Sequence, residues 1–127
     1  MELSSNPKEE ALVNFAQFDA MINGPNSPCV AIFRDFVSDA VSSIRTIREA
    51  AELGDRVTVE SIGHQFKGAA ATLGLSAFSL LMEEAELCAK HGGKLQKLAA
   101  TTWLGEVSRT LGATVALVQT ERGIAMS

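Results

Sequence analysis

Asp55-Arg56-Val57-Thr58-Val59-Glu60-Ser61-Ile62-Gly63-His64-Gln65-Phe66-Lys67-Gly68-Ala69-Ala70-Ala71-Thr72-Leu73-Gly74 reads as one complete helix with its own start and stop. Asp55 is an N-cap residue, able to accept a hydrogen bond from an otherwise unpaired amide of the first turn. Gly74 suits the left-handed position that ends a helix. Between them, at about 100° per residue, Val59, Ile62, Phe66, Ala69 and Leu73 fall on one face and predict a core stripe. His64 points almost directly away from that stripe, with Val57, Glu60, Lys67, Gly68 and Ala71 within about 60° of it.

The same punctuation recurs on both sides. Asn6-Pro7-Lys8-Glu9 combines an N-cap residue, a proline at the first helical position and an early carboxylate. This predicts an N-terminal helix over about 7–22, stopped by Asn23-Gly24-Pro25. Ser27-Pro28 starts another helix, in which Phe33, Val37, Ala40, Ile44, Ile47 and Ala51 form a continuous apolar stripe. Leu53-Gly54 ends it. After Gly74 a helix is predicted over about 76–90, closed by His91-Gly92-Gly93, and a last one over about 95–122. No strand alternation and no tight-hairpin dipeptide interrupts the series. The expected fold is therefore all-α: an antiparallel up-and-down four-helix bundle over about 28–122, with an additional N-terminal helix, in a single domain of residues 1–127.

Composition narrows the function classes. The chain has 127 residues, a formal net charge of −4 and 46% hydrophobic residues. It lacks the cationic excess that binding to nucleic-acid phosphates requires. Cys29 and Cys88 sit in apolar stretches and make no disulfide framework, which fits a reducing compartment. The N-terminus has no basic segment leading into an apolar one. The longest uncharged stretch, Gly68 to Met82, is shorter than the roughly 20 residues of a spanning helix. A cytoplasmic, monomeric protein without membrane or nucleic-acid partners is the expectation.

The outer face of the Asp55–Gly74 helix carries the chemistry. An exposed neutral imidazole is a competent nucleophile near neutral pH. Lys67, three residues on, can offset phosphoryl charge, and Gly68, four residues on, leaves room for an approaching partner at the cost of about 1 kcal/mol in helix propensity. Gln65 lies about 100° around the helix and reaches such a group only from the side. The set comprises a nucleophile, a charge and clearance. It includes no metal site and no phosphate-cradling glycine loop.

At these residues the chain resembles the histidine-containing phosphotransfer (HPt) domain family, whose pattern is H-x-x-K-G, small residues, then an apolar residue and glycine. Here it reads His64-Gln65-Phe66-Lys67-Gly68, then Ala69 to Thr72, then Leu73-Gly74. The placement of Asp55 and the Phe78, Leu81, Met82, Ala85, Glu86 pattern extend the likeness over about 28–120. The resemblance implies a four-helix bundle with His64 as the phosphoacceptor, accepting from one receiver-domain aspartate and passing to another. It implies partners that are receiver domains of hybrid sensor histidine kinases and of response regulators. These supply the Mg²⁺; this chain is expected to bind no cofactor and no metal. A carrier rather than a kinase is thereby implied. Gly63, Phe66 and Leu75 depart from the commoner alanine, leucine and alanine of the family, the last at a position expected to affect docking.

Other readings compete. The dimerisation domain of a sensor kinase places a proline soon after its histidine, whereas no proline follows Pro28 here. A bundle that only binds partners is the remaining alternative. Ile32, Phe36, Val57, Glu60, Ala71 and Leu75 are the expected docking surface, with Glu60 either orienting or repelling a phosphoryl group. Arg34, Arg45 and Arg48 edge the second helix's apolar stripe and are read as a solvated flank. Glu83, Glu84 and Glu86 are also read as solvated, with Glu86 placed to pair near the following helix, and His91 as a complement to a helix dipole. Paired Glu-x-x-His motifs of a di-metal bundle are absent, since Ser61 and Cys88 stand three before the histidines.

Overall fold

A computed structural model describes residues 11–126. Among these, every regular element is helical: α1 (Phe15–Met21), α2 (Val30–Leu53), α3 (Arg56–Thr72), α4 (Ser76–Lys90), α5 (Gln96–Ala99) and α6 (Thr101–Arg122). The Asn6-Pro7 start signal lies outside the described residues. Within them the expected N-terminal helix is interrupted: Ala11 and Leu12 are helical, Asn14 is extended and its side chain accepts from Gln17 N at 3.2 Å, restarting the helix at Phe15. The expected single helix over 95–122 is two. Ala100 adopts an extended conformation (ψ 144°) between α5 and α6, and the offset lets Leu95 and Leu98 as well as Trp103 reach the core.

The second helix begins two residues later than Pro28, after a turn in which Ser27 Oγ accepts from Cys29 N at 3.0 Å. Its stripe faces inward as expected, with Phe33, Val37, Ala40, Ile47 and Ala51 buried and Ile44 half-buried. On α3 the buried face is rotated from the expected one. Val59, Gly63, Phe66 and Ala70 are buried, whereas Ala69 is exposed. Gly63 shifts the stripe because α4 can approach only where a side chain is missing.

Alpha3 and α4 run antiparallel as a tight pair. Asp55 caps α3 through Thr58 N (3.1 Å). Its carboxyl is held below its usual range chiefly by the hydrogen bond from Thr58 Oγ1 (2.6 Å), and further by that from Thr58 N. The other end closes in a Schellman arrangement: Leu75 N donates to Ala70 O (2.8 Å) and Gly74 N to Ala71 O (3.0 Å), with Gly74 at φ +75°. Arg56, at the start of α3, donates to the Cys88, Ala89 and Gly93 carbonyls and so satisfies the end of α4. Alpha1 lies across the other end. Asn14 N donates to Gly74 O (2.7 Å) and Gln17 Nε2 to Thr72 O (2.7 Å). Arg122 grips Asp19 with two hydrogen bonds (2.7 and 2.9 Å) and stacks over Phe15.

Two expected docking residues belong to the core. Phe36 is buried between Phe66 and Phe78, with ring centroids 5.9 and 5.8 Å away. Leu75 is fully buried, since the residue after a Schellman glycine turns its apolar side chain back onto the helix it ends. Neither can line a docking surface, and the departure from alanine at Leu75 is a matter of packing.

Candidate functional site

His64 stands in the middle of α3 with 70% of its side chain exposed. Across the helix pair, Glu86 of α4 reaches its ring: Nδ1 and Oε2 are 2.9 Å apart. The other carboxylate oxygen, Oε1, meets Lys67 Nζ at 2.7 Å. This contact is an ion pair rather than an aligned hydrogen bond, and among the described residues no other donor reaches the buried Oε1. One carboxylate thus bridges the histidine and the lysine.

Backbone packing brings Glu86 there. A Cβ on Gly63 would lie 2.9 Å from both Glu86 N and Met82 O, so the two helices touch main chain to main chain beside His64. Ser79 Oγ, donating to Lys67 O at 3.0 Å, fixes the same register one level further along.

The electrostatics follow from this geometry. Lys67 lowers the Glu86 carboxyl below the ordinary range; burial opposes this, and the hydrogen bond to His64 adds to it. Reciprocally, Glu86 raises the Lys67 ammonium above its ordinary value, against burial. The carboxylate is covered by its two partners near the surface of the bundle, not set deep within it. Ionised, it only accepts hydrogen bonds, so the neutral imidazole carries its proton on Nδ1 and its lone pair on Nε2. The ring's free nitrogen is the one that the carboxylate does not hold.

The other expected residues take different places. Val57 is 79% exposed and, with Glu60, Ser61, His64, Glu86 and Lys90, lines a groove of about 520 Å³. Glu60 makes no hydrogen bond to the ring, whose orienting partner is Glu86. Gly68 is exposed, and a Cβ there would meet nothing within 4 Å. Gln65 is exposed. Ala71 borders a separate groove with Asn14, Gln17 and Leu80, while Ile32 is exposed on α2. Arg34 is not free: its Nε donates to Ala125 O at 2.7 Å.

Glu86 is not the solvated carboxylate that its acidic neighbours suggest: it is buried at the centre of the site. A signal for it existed. His64 and Glu86 are equally distant from Leu75, so folding the chain back at the Gly74 stop sets one opposite the other. Lys90, one turn beyond Glu86 on α4, is brought to the same groove by the same fold-back.

The family model described as Hpt domain matches residues 31–116, a stretch that contains α3, α4 and every residue of this cluster. Comparison with curated proteins and with solved structures finds no match.

Proposed function

This chain belongs to the Hpt domain family, and from that premise we propose that it is a phosphocarrier whose acceptor is His64 Nε2, loaded by one receiver-domain aspartyl phosphate and unloaded to another receiver's aspartate. Histidine phosphotransfer in phosphorelays is the family's general role. The observation that supports this particular site is the 2.9 Å contact between Nδ1 and Glu86. It holds the tautomer whose exposed nitrogen is nucleophilic.

In the loading step the Nε2 lone pair forms the N–P bond while the acyl P–O bond breaks, its electron pair leaving with the donor carboxylate. No proton need depart. The imidazole becomes a phosphoimidazolium, and its Nδ1–H remains directed at the Glu86 carboxylate, which stabilises the new positive charge. Unloading reverses these changes on the acceptor aspartate. The receiver is expected to supply Mg²⁺, with this chain offering the nucleophile and an approachable face.

The test is incubation with phosphorylated receiver domains, followed by mapping of the acid-labile label. Labelling is expected on His64 and is expected to vanish in His64→Gln, whose helical far-UV signal should match the parent's even though the hydrogen bond from the ring to Glu86 is lost. ATP and Mg²⁺ without a kinase are expected to leave the chain unlabelled. Label on His91, or full labelling of His64→Gln, refutes the assignment.

A further inference from the structure

We propose that Lys90 is a second phosphoryl-contacting cation, and that it, rather than Lys67 alone, balances the charge of the phosphoryl group on His64. The inference rests on the phosphoacceptor reading above and adds a residue to it.

The argument begins with a charge count around the ring. Lys67 is already committed, since its ammonium sits 2.7 Å from Glu86 Oε1 and only 29% of its side chain is exposed. Turning it fully toward a phosphoryl group would strip a covered carboxylate of its cation, which is costly. The Glu86–Lys67 pair is therefore close to neutral as seen from Nε2. Glu60 adds a negative charge to the same groove. A phosphoryl group arriving on Nε2 brings about two more negative charges, against the single positive charge gained by the ring.

Lys90 is the cation left over. It stands one turn after Glu86 on α4, on the same side of that helix, and lines the groove together with His64 and Glu60. It is exposed, and among the described residues no carboxylate lies within ion-pairing distance of it. Its four-carbon stem lets the ammonium follow a group that projects into the groove, and its only evident structural role, complementing the C-terminus of α4 from the last turn, tolerates such movement. The two lysines thus divide the work. Lys67 keeps Glu86 ionised and in place, while Lys90 meets the phosphoryl oxygens.

Phosphoramidate, a small donor that needs no protein partner, separates this contact from receiver docking. Lys90→Ala, Lys90→Arg and the parent are each labelled with it, and the rate of appearance and the lifetime of phosphohistidine are followed by phosphorus NMR. Lys90→Ala is expected to be labelled on the same nitrogen, with loading slowed up to about fivefold, the range of a contact partly screened by solvent. A displaced phosphorus resonance and a shorter lifetime are also expected, while Lys90→Arg restores all three and thermal melting is unchanged. Added salt should narrow the gap between Lys90→Ala and parent. Equal rates, lifetimes and resonances for parent and Lys90→Ala overturn the proposal while leaving His64 as acceptor. A parent that is not labelled on His64 overturns both readings together.

Discussion

Gly63 and Glu86 touch through their backbones: a single methyl group on Gly63 would fall 2.9 Å from the Glu86 amide nitrogen. The residue before the candidate acceptor therefore sets how near its carboxylate partner can come. Gly63→Ala removes a helix-weakening glycine but forces α3 and α4 apart against backbone that cannot give way. The expected outcome is a net loss of about 1–3 kcal/mol, as for overpacking elsewhere. Denaturant unfolding checks the loss, and nitrogen shifts of the His64 ring should report a weakened Nδ1–carboxylate hydrogen bond. A Gly63→Ala protein as stable as the parent, with an unchanged ring, would show that the helices adjust without cost.

Glu86 also governs an acid limb of stability. Its carboxyl is lowered in the folded chain, chiefly by Lys67. A lowered carboxyl stabilises the fold at pH values above its unfolded pKa, and that contribution is lost as pH falls through the folded value. Below the ordinary carboxylate pKa of about 4.3, the parent should lose melting temperature more steeply than Glu86→Gln. Because Asp55 is lowered as well and remains in both proteins, the difference between the two curves isolates Glu86. Parallel curves would remove the carboxylate from the ionic network.

Gly68 and Lys67 separate access from charge. Among the described residues nothing meets a Cβ at Gly68, so their packing does not require the glycine. Gly68→Gln should gain roughly 0.5 kcal/mol through helix propensity. It should nevertheless slow transfer by raising the receiver concentration needed for half-maximal rate, as seen by stopped-flow. Lys67→Ala should instead lower the saturating rate, because Glu86 loses the cation that keeps it ionised and in position. Transfer by Gly68→Gln at the parental rate at every receiver concentration would assign no docking role to this surface.

The extent to which the site could be read in advance depends on how far apart its residues lie along one helix. His64, Lys67 and Gly68 are neighbours on α3, and 3.6-residue periodicity alone places them together on the outside. Glu86 and Lys90 come from α4, where a carboxylate among other carboxylates looks solvated until the backbone contact at Gly63 is known. Phe36 and Leu75 misled for the opposite reason. The helical angle of Phe36 sits near the edge of an apolar stripe and Leu75 lies in the turn between two helices, and only the facing aromatic rings and the geometry at Gly74 decide that they point inward. Ala100 carries no breaker residue, so the interruption between α5 and α6 comes from burying Leu98 and Trp103 together, a tertiary requirement that overrides local propensity.

Gly74 joins two demands in one residue. Its φ of +75° disfavours any side chain, and a Cβ would lie 2.5 Å from Asn14 O. Gly74→Ala should therefore cost about 2 kcal/mol or more, from left-handed strain and collision together. Hydrogen exchange at the Asn14 amide, which donates to Gly74 O, should quicken more than exchange in the middle of α3. Uniform acceleration would indicate that α1 and the bundle open as one unit.

All of the proposed chemistry is carried by one helical hairpin. The acceptor and its carboxylate are 22 positions apart in the chain, and the turn between their helices is only three residues long. Closing so short a loop has a small entropic cost, so the hairpin can organise early in folding, before α2 and α6 complete their contacts. There is an evolutionary corollary. The outward surface of α2, where Ile32 is exposed, can accumulate substitutions that retune partner choice while the hairpin keeps its geometry, so one part of recognition can drift without touching the reactive pair.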